Sequence, residues 1–131
     1  MTRTILKRVC RAVVAGSLAL GLAACGPEYD RTEITAVTPS ALGGSMNAHS
    51  LEVPEGLILK AHIVVWNDDN VQMPLFVRSR DPAIVEVAGV VNERDYAFIG
   101  VRQGTTQIDF VADGSVVLSI PATVTAQSSP P

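Results

Sequence analysis

Apolar and polar residues alternate along several short stretches of the chain. The clearest stretch is 57–66, in which every second side chain is apolar, namely Leu57, Leu59, Ala61, Ile63 and Val65. Successive side chains of a β-strand point to opposite faces, so this pattern predicts a strand with one buried face. The other face carries Lys60, His62 and Trp66 and indicates partial cover.

Shorter stretches of the same kind follow between turn-forming residues. The further predicted strands are 34–38, 71–80 with an interruption at Pro74, 84–87, 96–101, 105–112 and 115–125. Asp113-Gly114 is the sharpest hairpin signal, because both residues tolerate a positive φ. Residues 40–50 are predicted to form a long loop. With no helical period after residue 33, the sequence predicts an all-β chain, an antiparallel β-sandwich of about seven strands.

The first 24 residues have a different pattern. Arg3, Lys7, Arg8 and Arg11 are followed by an uncharged run over residues 12–24, which is the arrangement of a signal peptide. A helix of this run would reach roughly 20 Å, short of the ~30 Å hydrocarbon core that a transmembrane helix must cross. We therefore interpret residues 1–24 as an export signal.

The end of that segment, Leu22-Ala23-Ala24-Cys25, resembles the lipobox of bacterial lipoprotein precursors. The resemblance implies that Cys25 is diacylated, that the signal is cleaved before it, and that the new amine is acylated as well. Two or three acyl chains, such as palmitate, hold a protein stably at a membrane, whereas one does not. The alternative is ordinary signal cleavage, for example after Gly21, which would release a soluble secreted domain.

Processing at Cys25 changes the charge of the protein. The full chain has ten basic and thirteen acidic residues, and removal of the four basic residues of the signal leaves six against thirteen, a formal charge of −7. Such an acidic domain argues against nucleic acid as a partner. Cys10 leaves with the signal and Cys25 carries lipid, so no disulfide is expected. The predicted organisation is a lipidated tether over 25–32, a sandwich over 33–126 and a disordered tail over 127–131.

Three segments of the predicted sandwich resemble the bacterial immunoglobulin-like domain of group 2 (BIG2). They are Ser-Arg-Asp-Pro-Ala-Ile-Val-Glu-Val at 79–87, Ile-Gly-Val-Arg-Gln-Gly-Thr-Thr-Gln-Ile at 99–108, and Leu-Glu-Val-Pro-Glu-Gly at 51–56. The family often has a core tryptophan where this chain has Val77, so Trp66 or Phe76 is expected to fill that volume. The resemblance implies a binding or spacing module without enzymatic activity.

The residues that could carry chemistry do not form a catalytic set in the sequence. Gly43-Gly44-Ser45 resembles half of a nucleophile elbow, but the closing glycine is missing. His49 and His62 have no Cys, His or Asp at metal-ligand spacing. We therefore expect no enzyme and no cofactor apart from the covalent lipid on Cys25.

Asp68 and Asp69, within the turn 67–70, are the candidate metal ligands, because several oxygen atoms in a loop can hold calcium. The competing interpretation is an ordinary polar turn. The two aspartates are adjacent and the spacing of an EF-hand is absent, so we expect no tight site and, at most, affinities of ~10⁻⁴ to 10⁻³ M.

Trp66, Arg78 and Arg80 form the candidate binding surface. Trp66 could stack on a sugar or a peptide, although a tryptophan at a strand end also often closes the rim of a core. The two arginines share one strand face and could recognise an acidic partner, or pair with Asp81 and Glu86, which are close in sequence.

The sequence thus predicts an envelope lipoprotein of the outer membrane, held there by its acyl chains. Its single immunoglobulin-like domain is expected to bind an unidentified envelope protein or polysaccharide, or to serve as a structural spacer. The alternative is a calcium- or ligand-responsive accessory subunit of a larger envelope complex.

Overall fold

Alternating apolar residues build two sheets that pack face to face. The computed structural model describes residues 28–89 and 94–127. Within these residues lie ten strands and no helix. They are β1 (Tyr29–Thr38), β2 (Ser45–Met46), β3 (Leu51–Pro54), β4 (Ile58–Asn67), β5 (Gln72–Met73), β6 (Leu75–Ser79), β7 (Val85–Gly89), β8 (Asp95–Gly100), β9 (Gly104–Ala112) and β10 (Ser115–Thr125).

The first sheet has the order β1-β4-β8-β7, with β5 added to the end of β4, and the second has the order β2-β3-β10-β9-β6. All pairs are antiparallel except β3 and β10, which run parallel. The core between the sheets contains the alternate residues of their strands. Its fully buried large side chains are Leu51, Val53, Leu59, Ile63, Val65, Val85, Phe98, Ile108, Phe110 and Ile120.

The predicted all-β sandwich is confirmed, but its strand count was too low. Three short strands, β2, β3 and β5, were not separated from their surroundings in the sequence. The predicted strand 71–80 is divided at Pro74, where the chain leaves the first sheet after β5 and enters the second sheet as β6. Proline lacks the N–H that a continuous ladder would need, so it marks the crossover.

The boundary predicted between tether and sandwich was wrong. Strand β1 begins at Tyr29 rather than at residue 34, and Tyr29, Arg31 and Thr32 lie opposite Asn67, Trp66 and Val65 of β4. Backbone pairing holds this polar segment, which therefore needs no apolar period. Residues 29–32 belong to the sandwich. The signal, the lipobox and Cys25 lie outside the described residues.

The loop predicted over residues 40–50 is partly paired. Strand β2 lies against β3, and Met46 is only 8% exposed because its side chain packs into the core. A β-bridge between Ser40 and Gly43 closes the preceding turn. A two-residue strand is too short to show a period in the sequence, so the prediction of a continuous loop was wrong.

Tryptophan does not fill the core in this protein, and neither does Phe76. Val77 faces the core itself, whereas Phe76 is 61% exposed on the other side of β6. Trp66 lies on the outer face of β4, opposite in direction to the buried Val65. The expectation that one of these two aromatic rings occupies the family's tryptophan position was therefore wrong.

Gly100, in the segment that resembles the bacterial immunoglobulin-like family, lies where two backbones meet. A Cβ atom at this position would lie 2.5 Å from the carbonyl oxygen of Pro54 and 3.3 Å from Val124. The Gly56 N–H donates to the Gly100 carbonyl at 2.7 Å and the Gly100 N–H donates to the Leu57 carbonyl at 3.0 Å. Only glycine allows this approach between the two sheets.

The chain enters the sandwich at one end and leaves the last strand at the other. Tyr29 pairs with the end of β4, beside the turn 67–70 and the hairpin at Asp113 and Gly114, whose φ angles of 53° and 75° confirm the predicted tight turn. We call this the entry end. The opposite, exit end contains Pro54, Gly100 and Thr125. In the described part of the chain, no helix has the length and apolarity needed to span a membrane.

Candidate functional site

Strands β6, β9 and β10 place their outward side chains in rows across the second sheet. The pairing of β6 with β9, and of β9 with β10, sets these rows. Nearest the entry end is an apolar row of Phe76, Val111 and Val116. Next comes a polar row of Arg78, Asp109 and Ser119, and Arg80 lies directly after the end of β6. We call the six residues of the two rows, together with Arg80, the β6–β9 face.

Asp109 is the centre of the polar row. The Arg80 Nε donates to both carboxylate oxygens at 3.1 Å, Ser119 Oγ donates to Oδ1 at 2.6 Å, and the Arg78 Nε lies 3.5 Å from Oδ2. The hydrogen bond from Arg80, followed by that from Ser119, lowers the pKa of Asp109 below its usual value. Asp109 in turn raises the pKa of Arg80.

The burial of Asp109 differs from that of a core residue. It is 3% exposed, yet it lies on the outward side of β9, where the overlying side chains and not the packed sheets exclude water. Solvent around the guanidinium groups still screens the cluster, and exposed ion pairs contribute little stability. No local pattern indicated the contact of Asp109 with the two arginines, because Asp81 and Glu86 are the acids close to them in sequence. Asp81 instead accepts the Ala83 N–H in a local turn.

Two cations share a single carboxylate in this cluster. The side chains of Arg78 and Arg80 are 53% and 56% exposed, so both can still reach a partner. The apolar row beside them is also open, with Phe76 61% and Val116 47% exposed. The β6–β9 face therefore offers positive charge next to exposed apolar surface.

Trp66 lies on the other side of the molecule, on the outer face of the first sheet. The Arg31 guanidinium stacks over its ring, with Cζ 5.3 Å from the ring centroid. Arg31 also donates to Asp30, Glu33 and Asn70 at 3.0 to 3.2 Å. The protein's own arginine covers this ring face, so the three predicted binding residues do not form one surface.

Charge around Arg31 is fully compensated by acids. The hydrogen bond with Glu33 raises the pKa of Arg31, and the same bond lowers the pKa of Glu33. The Trp66 indole N–H, which is buried and has no hydrogen-bond partner among the described residues, lowers the pKa of Glu33 by less than Arg31 does. Arg31 is therefore held as part of the sandwich rather than presented to a partner.

The turn 67–70 uses its oxygen atoms to hold the chain. Asn67 Oδ1 accepts the backbone N–H groups of Asp69 and Val71, both at 2.9 Å. Asp68 Oδ1 accepts the Glu28 N–H at 3.1 Å, and Asn70 Oδ1 accepts Arg31 Nη2 at 3.1 Å. Among the described residues, no group of three or more Cys, His, Asp and Glu side chains could hold a metal ion.

His62 has a partner that the sequence did not indicate. Strand β8 places Asp95 opposite His62, and Asp95 Oδ1 lies 2.7 Å from His62 Nδ1. The two residues are 33 positions apart, so only the strand register brings them together. The pair lies on the outward face of a sheet.

An open cleft of about 280 Å³ lies where the chain crosses between the sheets at Pro74. Its described lining is mostly apolar, with Arg94 and Gln72 as the polar members, and it contains no carboxylate. The Tyr96 hydroxyl donates to the Leu75 carbonyl at 3.1 Å and ties the two sheets together nearby. Within the part of the chain that the structure describes, neither the cleft lining nor the His62–Asp95 pair brings together an acid, a base and a nucleophile.

Comparison with known proteins gives structural neighbours but no sequence family. No family model matches the chain, and no curated protein is similar to it. Domains 4 and 5 of the S-layer protein SbsC superpose with a TM-score of 0.54 at 16% identity, covering 77% of this chain and 54% of that one. Domains 4–9 give 0.56 at 16% identity, covering 79% and 15%.

These neighbours share the fold. A third, comprising domains 1–6 of the same surface layer protein, gives a TM-score of 0.55 at 17% identity and covers 79% of this chain and 14% of that one. This chain thus spans only one part of each neighbour. The likeness identifies a β-sandwich of the kind found in that protein.

Proposed function

We propose that this protein is a bacterial envelope lipoprotein, anchored in the outer membrane through Cys25, whose single immunoglobulin-like sandwich is a non-catalytic binding or structural module. The observation that carries the proposal is the short distance along the chain between Cys25 and the first strand. Only Gly26, Pro27 and Glu28 separate the lipobox cysteine from Tyr29, where β1 begins.

This spacing sets how the domain stands on a membrane. Three residues and their flanking bonds extend roughly 14 Å at most, so acyl chains on Cys25 would hold the entry end beside the lipid headgroups. The exit end would then point away from the bilayer, and the outward faces of both sheets would stand along the sides of the domain. A sandwich in this position acts as a rigid spacer or as a displayed binding surface.

The structural neighbours agree with an envelope location, because their names describe them as S-layer, or surface layer, proteins. The resemblance of 51–56, 79–87 and 99–108 to group 2 immunoglobulin-like domains points in the same direction. The His62–Asp95 pair lies on an outward sheet face, and the described lining of the cleft carries no carboxylate. We therefore propose a role without catalysis.

Metabolic labelling with an alkyne fatty acid tests the anchor. We expect label on the wild-type protein, loss of label in Cys25→Ala, and accumulation of the larger precursor, because processing requires the acylated cysteine. Cys10→Ala is the matched control, since Cys10 is the other cysteine of the chain, and it should keep both label and processing. Equal labelling of wild type and Cys25→Ala would refute the lipid anchor.

A further inference from the structure

We propose that the β6–β9 face binds an extended acidic polypeptide segment of a partner protein, which adds as a further strand to the open edge of β6. The inference rests on the proposed role as a binding module and names the chemistry of its partner. The expected segment carries an apolar residue and two acids at alternate positions, aligned with Phe76, Arg78 and Arg80.

Charge is the first argument. In the sequence after Cys25, six basic residues face thirteen acidic ones. Among the described residues, Arg31 is shared by two carboxylates, whereas Arg78 and Arg80 together share only Asp109. The β6–β9 face therefore keeps a net positive charge within an acidic domain. A segment with two carboxylates would complement both guanidinium groups without removing Asp109.

The edge of the sheet is the second argument. Strand β6 is the last strand of the second sheet. The Arg80 N–H donates to the Gln107 carbonyl of β9 at 3.0 Å, and hydrogen-bonded pairs alternate along an antiparallel ladder. Arg78 and Phe76 therefore bond toward β9, while Val77 directs its backbone N–H and C=O to the open edge, where an added strand can pair.

The remaining edges are less suited to a regular added strand. Strand β1 contains two register shifts and a positive φ of 50° at Ala36, and β2 has only two residues. Strand β7 presents Glu86 on its outward face, which would repel an acidic segment. Natural sheets use such irregularities and charges to prevent edge pairing. Strand β6 pairs with β9 without a register shift.

The geometry of strand addition fixes the pattern of the ligand. Adjacent strands lie about 4.8 Å apart, and side chains directly opposite each other are in contact. Residues 76, 78 and 80 share the outward face, so the outward residues of the added strand would follow the order apolar, acidic, acidic. The direction of the added strand decides whether the ligand reads in this order or in reverse.

A lipid surface is the competing partner for exposed arginines beside an aromatic ring. The entry end, which a short tether would hold against the membrane, carries the acids Asp30, Asp68, Asp69 and Asp113. The acyl chains would hold this end near the headgroups, but its acids would oppose adsorption of the adjoining β6–β9 face onto an anionic surface. The β6–β9 face extends along the side of the sandwich, where a neighbouring protein can reach it.

The test measures fluorescence anisotropy of labelled probe peptides with the full chain purified from membranes in detergent. One seven-residue probe alternates threonine with phenylalanine, glutamate and glutamate, and a second has the reverse order. Their counterparts carry lysine for glutamate. We expect at least one acidic probe to bind about tenfold more tightly than its lysine counterpart at low salt, because each exposed ion pair is worth up to about a factor of five.

Two variants test the face itself. Arg78→Gln and Phe76→Ser should each weaken binding of the acidic probe severalfold. Lys60→Gln and Ile58→Ser remove a cation and an apolar side chain from the outer face of the first sheet and should not weaken it. Arg78 lies 3.5 Å from Asp109 and is half exposed, so Arg78→Gln should keep the wild-type unfolding midpoint. Proline in place of the threonine between the phenylalanine and the neighbouring glutamate should abolish binding, because it removes the strand N–H opposite the Val77 backbone.

Each outcome decides the proposal. Equal binding of acidic and lysine probes, or unchanged affinity in Arg78→Gln, would overturn it. Equal binding of the proline probe would overturn strand addition. Stronger adsorption to vesicles containing phosphatidylglycerol than to phosphatidylcholine vesicles, with the difference lost in Arg78→Gln and without probe binding, would assign the face to lipid instead. None of these results alters fatty-acid labelling at Cys25, so failure of the docking site is distinguishable from failure of the anchor.

Discussion

Gly100→Ala should destabilise the sandwich strongly. Its new Cβ atom would lie 2.5 Å from the Pro54 carbonyl oxygen and 3.1 Å from the Pro54 carbonyl carbon. An ordinary contact begins at about 3.4 Å, so β8 and the end of β3 must separate by about 0.9 Å. Both obstructing atoms belong to the backbone, and no rotamer change can move them.

The cost follows from what holds these two segments together. The hydrogen bonds Gly56 N–H to Gly100 C=O and Gly100 N–H to Leu57 C=O, at 2.7 and 3.0 Å, would lengthen as the strands separate. Overpacking of a close-packed interior costs about 1–3 kcal/mol. The rigid backbone contact and the weakened hydrogen bonds place Gly100→Ala toward the upper end of that range.

Gly89→Ala is the matched control, because Gly89 also ends a strand of the first sheet and a Cβ there meets nothing within 4 Å. The measurement is equilibrium urea unfolding followed by the fluorescence of Trp66, the single tryptophan. With a slope of about 1 kcal/mol/M, Gly100→Ala should lower the midpoint by about 1–3 M. Gly89→Ala should leave it unchanged or raise it slightly, since alanine restricts the unfolded chain. Equal midpoints for the two variants would refute the argument from close approach.

Two further predictions concern Asp109 and the turn 67–70. The pKa of Asp109 is lowered in the folded protein, so its stabilisation is present above its ordinary value of 3.8 and is lost as the pH falls through the lower folded value. Asp109→Asn should therefore lower the free energy of unfolding, measured in urea at pH 7, by about 1 kcal/mol after allowance for solvent screening. The difference between wild type and variant should shrink below pH 4, and a difference that stays constant with pH would contradict this. Calorimetric titration should detect no micromolar calcium site, because side-chain oxygens of Asn67, Asp68 and Asn70 already accept hydrogen bonds. Tight calcium binding that is lost in Asp68→Ala would contradict that reasoning.

Local signals in the sequence predicted the elements that depend on local chemistry. The alternation over residues 57–66 corresponds to β4, and Asp113-Gly114 forms the expected hairpin. Pro74 separates β5 from β6, because proline lacks the backbone N–H that a continuous strand would need. Strand β10 has the predicted bounds of 115–125.

Features that depend on strand register were not predictable. Residues 29–32 are largely polar, and their pairing with β4 shows only in the sheet. Asp109 is 29 residues from Arg80, and Asp95 is 33 residues from His62. The alternation of side chains along β9 indicates that Asp109 points outward. The side chains that cover it belong to neighbouring segments, and the sequence does not specify which strands pair with β9.

The parallel pairing of β3 with β10 constrains how the protein can fold. Leu51 lies opposite Ala122, so segments separated by about seventy residues must meet before the second sheet is complete. Contacts between such distant segments make folding slow, because the loop entropy is lost before the contact forms. Strand β10 also separates β3 from β9. A chain that emerges from its N-terminus therefore has two unpaired strand edges in its second sheet until residues 115–125 arrive. The last of the described strands to appear is the one that joins the two parts of the sheet.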